Sequence, residues 1–218
     1  MSIFTLRLKR WLRNLRELWR FAFVKKGLSD PDNHIVKLRR IRRFANQIGA
    51  KSFIETGTFY GQTTEIASRH FNTVVSIELS PYLAELNARS FKNTKNVTIL
   101  QGDSRELLLS IVKGVPSPIL FWLDGHYSGG ITAGETSPCP ILEELSAIRQ
   151  LDQNTDFCLL IDDRRLFNGN NGYPEIDYLT RFVFDLWPDA EVTVDGDATV
   201  ISLKNEQQKP SAELNVHS

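Results

Sequence analysis

Short apolar runs alternate with segments of helical periodicity from Lys51 onward, and this alternation constrains the fold more than any other feature. The five runs read SFIET, TVVSIELS, VTILQGD, PILFWLD and FCLLIDD. Near-continuous apolar strands with helices between them are typical of a parallel sheet that helices cover on both faces. Two β-branched runs around residues 195–197 predict a C-terminal antiparallel hairpin. The sequence therefore predicts an α/β fold with a doubly wound, mostly parallel, seven-stranded sheet.

Charge is distributed unevenly along the chain. The whole sequence has 26 basic and 26 acidic residues, but residues 1–51 contain 14 Lys or Arg and only three acids. We expect three parts: a basic amphipathic helical arm at residues 1–33, an α/β domain at residues 34–204 and a flexible tail at residues 205–218. Such an asymmetry suggests a polyanion or a membrane surface as a partner.

The N-terminal arm has leucine and aromatic residues at helical spacing, with arginines on other parts of the helix. Such a helix can lie on an anionic membrane through residues 1–27, or it can pack on protein, and the sequence leaves both alternatives open. Two cysteines and no apolar run of membrane-spanning length predict a cytoplasmic protein, with or without peripheral contact at the inner membrane face. Whether the chain forms a homo-oligomer is also open.

Polar residues follow the first strand, where ligands bind in open α/β sheets. Gly57 permits a tight turn, and Gly61 lets the next helix begin close to the sheet. Glu55 would repel a pyrophosphate but suits a cationic ligand such as an ammonium or a sulfonium. The alternative is a plain strand-to-helix turn without a ligand.

The second and third strands also end in polar residues. Glu78 lies about 20 residues beyond the first turn, where an acid can accept hydrogen bonds from ribose hydroxyls. Asp103 and Ser104 offer an acceptor and a donor that suit the edge of an adenine. Either residue could instead cap the helix that follows.

Three acids follow the fourth and fifth strands. Asp124 ends one, and Asp162 and Asp163 end the other. If these strands are neighbours, the carboxylates would lie close together and repel one another. A hard divalent cation such as Mg²⁺, which takes oxygen ligands, would remove that conflict. The alternative is that these acids cap helices or hold loops.

This ordered set of strand ends resembles the class I S-adenosylmethionine-dependent methyltransferases over residues 44–204. The resemblance implies a Rossmann-like fold and S-adenosylmethionine as the cofactor. The residues it assigns to cofactor binding are Glu55, Gly57, Thr58, Gly61, Thr63, Glu78, Asp103, Ser104 and Asp124. Thr63 would meet the methionine carboxylate, and Thr58 departs from the second glycine that many members have.

The acids resemble more narrowly the Mg²⁺-dependent O-methyltransferases related to catechol O-methyltransferase and the macrocin type. That resemblance assigns Asp124, Asp162 and Asp163 to the metal. Tyr127 stands where the catechol enzymes have their lysine base, but the sugar enzymes have a base two positions beyond the first metal acid, where His126 lies, so the resemblance assigns the base to His126. The alternative is that His126 is a structural histidine. The expected acceptor is a sugar, glycan or other vicinal diol. The rival hypotheses are an RNA methyltransferase that uses the basic arm, although nucleic acid is the less expected partner, and a non-catalytic binding protein.

Overall fold

A computed structural model describes residues 5–6, 8–12, 32–124, 139–151 and 155–203. Its centre is a seven-stranded sheet in the order β3-β2-β1-β4-β5-β7-β6. The strands are β1 (Ser52–Thr56), β2 (Thr73–Glu78), β3 (Val97–Gln101), β4 (Ile119–Leu123), β5 (Phe157–Ile161), β6 (Ala190–Asp195) and β7 (Ala198–Leu203). The first five are parallel, and β7 runs antiparallel to both β5 and β6. The predicted fold class, including the C-terminal hairpin, is confirmed.

Helices connect the strands. They are α1 (His34–Ile48), α2 (Gln62–Ala67), α3 (Pro81–Phe91), α4 (Ser104–Val112), α5 (Ile141–Ile148) and α6 (Ile176–Leu186), with a 3₁₀ turn at Arg164–Leu166. Local sequence sets several of the ends. The side chain of Asn33 accepts the Val36 N–H at the start of α1, and Ser80 with Pro81 begins α3. Gly49 ends α1 in the left-handed conformation.

Apolar side chains fill both faces of the sheet. Ile54 and Phe121 point into a core formed with α4, α5 and α6, while their neighbours Phe53 and Trp122 point into a core formed with α1 and α2. All four are at most 1% exposed. A strand that is covered on both faces needs apolar residues at successive positions, which explains why these runs show no polar alternation.

The described residues of the N-terminal arm are helical and pack on the domain. Leu6 is fully buried, and Arg10 is 4% exposed. The Arg10 guanidinium donates to Asn87 Oδ1 at 2.8 Å, to Ser90 Oγ at 3.2 Å and to the Tyr60 carbonyl oxygen. Of the two alternatives for the arm, a membrane surface or packing on protein, Leu6 and Arg10 show packing on the domain.

The opposite side of the same helical segment is open. Leu8, Trp11 and Leu12 are 42%, 58% and 51% exposed. Within the described residues, no helix is long and apolar enough to cross a membrane. Most of residues 1–27 lie outside the described part of the chain, so contact of this segment with an anionic membrane, and the domain boundaries at 33 and 204, stay predictions.

Candidate active site

The turn between β1 and α2 is built from backbone conformations that few residues adopt. Gly57, Phe59 and Gly61 have φ values of 86°, 48° and 69°. A Cβ on Gly61 would lie 2.5 Å from Asn87 Oδ1 and 2.6 Å from Arg10 Nη2, so only glycine fits there. Positive φ at a large side chain such as Phe59 stores strain, which proteins retain mainly at ligand sites. The turn brings backbone N–H groups to the carboxyl end of β1.

Glu55, at the end of β1, is 2% exposed. Its Oε2 accepts hydrogen bonds from Thr64 Oγ1 at 2.6 Å and from Ser76 Oγ at 2.7 Å. Because Ser76 donates to Glu55, the Thr58 hydroxyl donates to Ser76, at 2.6 Å. Burial raises the pKa of Glu55 to about 8, although the two hydroxyl donors lower it. Burial thus favours the protonated form of Glu55 in the free protein, and a cationic ligand would favour its ionisation.

Glu78 ends β2 and holds the turn between β1 and α2 through hydrogen bonds. Its Oε2 accepts the Phe59 N–H at 2.7 Å, and its Oε1 accepts the Ser80 N–H at 2.9 Å. Burial raises the pKa of Glu78, against the effect of these two N–H donors. A carboxylate oxygen has two lone pairs, so each oxygen can accept a further hydrogen bond from a ribose hydroxyl.

The remaining residues expected on the cofactor side have other contacts. Asp103 caps α4, accepts the Arg105 N–H at 2.9 Å and pairs with the Arg105 guanidinium, which lowers the pKa of Asp103. Ser104 hydrogen-bonds to Glu144 of α5. Thr63 lines a cavity of about 700 Å³ between α1 and α2. The helix-capping alternative for Asp103 is the contact found, and its role toward adenine stays a prediction.

Asp124, Asp162 and Asp163 form a cluster that we call the acid triad. Since β4 lies between β1 and β5, the Asp124 N–H donates to the Thr56 carbonyl at 3.2 Å and the Asp162 N–H to the Leu123 carbonyl at 3.1 Å. One carboxylate oxygen from each acid lies within 4.8 Å of the others. Asp162 and Asp163 are 2% and 6% exposed. The structure therefore brings together all three residues that the sequence assigned to a metal.

A lysine from α1 contacts the acid triad. Lys37 Nζ binds Asp162 Oδ2 and lies 3.3 Å from Asp163 Oδ1. Burial alone lowers the pKa of Lys37, but the three carboxylates outweigh it and raise the pKa above its ordinary value. For Asp162, burial and then Asp124 raise the pKa, while Lys37 acts in the opposite direction. Sequence reasoning missed Lys37, although it lies four and eight residues before the buried Ile41 and Ala45.

The acid triad fits a hard divalent cation. Asp162 Oδ1 is buried and has no hydrogen-bond partner in the described part of the chain. Mg²⁺ binds oxygens at about 2.1 Å, which separates oxygens on opposite sides of the ion by about 4.2 Å. The spread of up to 4.8 Å in the triad is therefore close to what such an ion requires, once the Lys37 ammonium has left.

A second missed residue is Glu144, on α5. It is 1% exposed, and burial raises its pKa to about 7, although hydrogen bonds with Ser104 and Thr56 lower it. Glu144 lies on the apolar row of α5 with Ile141, Leu145 and Ile148. His126, the predicted base, lies outside the described residues, as do all of residues 125–138.

Comparisons with known proteins place this fold. No protein-family model matches the sequence, and no curated protein matches it. Among solved structures, the O-methyltransferase TomG from Streptomyces achromogenes, in complex with SAM, is similar with a TM-score of 0.57 and 17% identity, over 85% of this chain and 93% of that one. An O-methyltransferase from Bacillus cereus in complex with SAH is similar with a TM-score of 0.54 and 15% identity, over 85% of this chain and 94% of that one. The 23S rRNA methyltransferase ErmE is similar with a TM-score of 0.50 and 14% identity, over 81% of this chain and 70% of that one.

The similarity to TomG and to the Bacillus cereus enzyme extends over most of both chains, and the strand order and the antiparallel β7 fit it. At identities of 15–17% it is a likeness of fold. The chain thus has the Rossmann-like fold of the class I S-adenosylmethionine-dependent methyltransferases.

Proposed function

We propose that the chain is an S-adenosylmethionine-dependent O-methyltransferase that uses a divalent cation, Mg²⁺ in the first place, to methylate a hydroxyl of a sugar, glycan or other vicinal diol. The observation that carries this proposal is the position of the acid triad. It lies at the carboxyl ends of β4 and β5, directly beside the glycine turn that follows β1. A cofactor at the turn and an acceptor at the triad would therefore share one edge of the sheet.

On the cofactor side, Gly57, Thr58 and Gly61 would let the methionine portion approach the backbone N–H groups of the turn. Glu55 would meet the positive charge of the cofactor, and Glu78 would accept the ribose hydroxyls. Supporting this are the burial of both acids and their place at the ends of neighbouring parallel strands. Thr63, Asp103, Ser104 and Asp124 remain proposed contacts of the same ligand.

On the acceptor side, Asp124, Asp162 and Asp163 would hold the cation. When bound, the cation supplies Lewis-acid chemistry that lowers the pKa of a hydroxyl and fixes its oxygen. The chain must then remove the proton. His126 is two residues beyond Asp124 in the sequence. We assign His126 as the base that takes the hydroxyl proton, because imidazole titrates near neutral pH.

The rival RNA methyltransferase hypothesis has the structural likeness to ErmE in its favour. The ion pairs of four basic residues weigh against it. Arg10, Lys37, Arg40 and Arg43, four of the basic residues of the N-terminal region, pair with acids of the same chain. They contribute little free positive charge for phosphates, which RNA binding depends on.

The test is a turnover assay that follows S-adenosylhomocysteine formation with a panel of sugar diols and, separately, with structured RNA. We expect turnover on a diol that EDTA abolishes and Mg²⁺ restores. His126→Ala should lower turnover by about 10²–10⁴-fold and leave cofactor affinity unchanged. Methylation of RNA but of no diol would overturn the assignment in favour of the rival. Full activity in EDTA would show that the reaction does not need the divalent cation. Unimpaired turnover by His126→Ala would show that His126 is not the catalytic base.

A further inference from the structure

The acid triad is matched by a cation that belongs to the chain itself. The ammonium of Lys37 binds Asp162 Oδ2 and lies 3.3 Å from Asp163 Oδ1. The side chains of Asp162 and Asp163 are 0% and 8% exposed, and that of Lys37 is 18% exposed. The ammonium thus lies beside oxygens that a divalent cation would need.

The backbone that carries Lys37 is firmly held. One turn further along α1, the Arg40 guanidinium pairs with Asp32 and lies 3.5 Å from Asp195 of the hairpin. Ile41 and Ala45 are buried against the sheet. The Lys37 side chain, by contrast, has four rotatable bonds and reaches solvent. The ammonium can therefore leave the acid triad by rotation of the side chain, while α1 stays in place.

Charge makes joint occupancy unfavourable. A divalent cation bound to Asp162 and the Lys37 ammonium bound to the same carboxylate would repel each other at a distance of a few ångströms, in a site that is largely shielded from water. Arg165 Nη1 also lies near the acid triad, 2.8 Å from Asp163 Oδ1, but it is held by Asp197 as well. Lys37 is thus the cation with the greater freedom to leave.

We propose that Lys37 is a tethered competitor of the divalent cation: its ammonium neutralises Asp162 and Asp163 when the metal is absent, and the metal must displace it to bind. Lys37 then sets the metal affinity and keeps the buried acids compensated in the metal-free protein. This inference rests on the proposed function, because it takes the acid triad as the metal site.

The test measures binding of Mg²⁺ and Mn²⁺ by calorimetry at one fixed pH, without cofactor or acceptor. Lys37→Met keeps the length of the side chain and removes its charge, and Lys37→Arg keeps the charge. Arg42→Gln, at an exposed position of the same helix, is the matched control for the loss of one positive charge. We expect Lys37→Met to bind metal at least about tenfold more tightly than the wild type. Lys37→Arg should bind no more tightly than the wild type, and Arg42→Gln should bind equally.

Thermal unfolding gives a second readout, because removal of Lys37 leaves the buried Asp162 carboxylate without its counter-charge. Lys37→Met should unfold at a lower temperature than the wild type in EDTA, and Mg²⁺ should raise its melting temperature by more than that of the wild type. Equal or weaker metal binding by Lys37→Met, with metal binding by the wild type, would overturn the inference alone. If neither protein binds Mg²⁺ or Mn²⁺ while both bind S-adenosylmethionine, the metal site itself is wrong, and the inference falls with it.

Discussion

Two groups of buried acids lie on the same edge of the sheet, and the protein stabilises them in different ways. On the cofactor side, Glu55 and Glu78 accept hydrogen bonds from two hydroxyls and two backbone N–H groups. In the acid triad, Asp162 and Asp163 contact the cations of Lys37 and Arg165 instead. The first set of partners is neutral and fixed to the backbone or to short side chains, whereas the second is charged and carried by long side chains.

This difference predicts that the two groups respond to different variables. An acid among neutral donors can relieve its burial by binding a proton, as the raised pKa of Glu55 indicates. Three acids within 4.8 Å of one another need positive charge, which a lysine or a metal ion can supply. Cofactor binding should therefore depend on pH through Glu55. The acid triad, where burial and Asp124 raise the pKa of Asp162, should depend on the available cation in addition to pH.

Replacing Asp162 by Asn should affect the acid triad alone. The variant removes the acid whose Oδ1 is buried without a partner in the described part of the chain. We expect metal affinity to fall by about 100-fold or more, which is at the upper end of what removal of even an outer partner of a metal ligand costs. Affinity for S-adenosylmethionine should stay within about twofold, since Asp162 follows β5 and the turn follows β1.

Calorimetry with Mg²⁺ and with the cofactor, each alone, checks this separation. Asp185→Asn, an exposed acid of α6, is the control for the loss of one negative charge. An Asp162→Asn protein that binds metal as well as the wild type would exclude the acid triad as the metal site. If Asp162→Asn loses affinity for both the metal and the cofactor, the acid triad and the cofactor side are coupled and do not respond separately.

Replacing Glu78 by Ala should affect the cofactor side alone. It leaves the N–H groups of Phe59 and Ser80 without their acceptor and frees the strained turn to move. Hydrogen bonds to a charged group are worth about 1.5–3 kcal/mol each, so we expect cofactor affinity to fall by roughly 10–100-fold. Metal affinity should not change.

The measurement is again calorimetry, with Glu78→Gln as the partner variant. Gln keeps one carbonyl oxygen as an acceptor, so its affinity for the cofactor should fall between those of the wild type and of Glu78→Ala. Wild-type cofactor affinity in Glu78→Ala would mean that this acid serves only the turn and does not contact the ligand.

The smallest effect concerns pH and Glu55. A cationic cofactor favours the ionised carboxylate, so binding should release a proton wherever Glu55 is protonated in the free protein. With a pKa of about 8 in the free protein, the ionised fraction, and with it the affinity, should rise about tenfold between pH 7 and pH 9. The folding stability of the free protein changes in the opposite direction and falls as the pH rises. Because the folded pKa lies above the unfolded value, stability that is fully present at low pH is lost as the pH rises through about 8.

Titrations of S-adenosylmethionine at several pH values, in buffers of different ionisation enthalpy, measure this proton release. Glu55→Gln gives the baseline, because it removes the titrating group and retains the hydrogen-bonding oxygen. An identical pH profile in Glu55→Gln and in the wild type would contradict the role of Glu55. Thermal unfolding of the free wild type from pH 4.5, the ordinary pKa of a glutamate, up to about pH 9 checks the predicted loss of stability.

The sequence predicted the sheet because each β/α unit shows its own periodicity, and it predicted the acid triad because parallel strands end at one edge. It could not decide the role of Asp103, since an acid before a helix is equally suited to cap that helix, as Asp103 does. Whether such an acid also meets a ligand depends on contacts that span the sheet, which no local pattern contains.

Two functional candidates were missed for a shared physical reason. Lys37 and Glu144 each lie on the apolar row of an otherwise amphipathic helix, next to Ile41 in one case and to Ile141 and Leu145 in the other. A charged residue on such a row is costly to bury unless a partner compensates it. That exception to the pattern was the available signal, and only the fold could identify the partners, Asp162 for Lys37 and Thr56 and Ser104 for Glu144.

The packing of Arg10 has a consequence for the protein during its synthesis. Its partners Tyr60, Asn87 and Ser90 lie 50, 77 and 80 residues further along the chain. Ribosomes add about 5–20 residues per second, so the arm emerges roughly 4–16 s before Ser90 does. Until Tyr60 emerges, 50 residues after Arg10, the Arg10 side chain has none of these partners. The nascent chain therefore presents Arg10 and Leu6 to chaperones and membranes before the finished domain covers them.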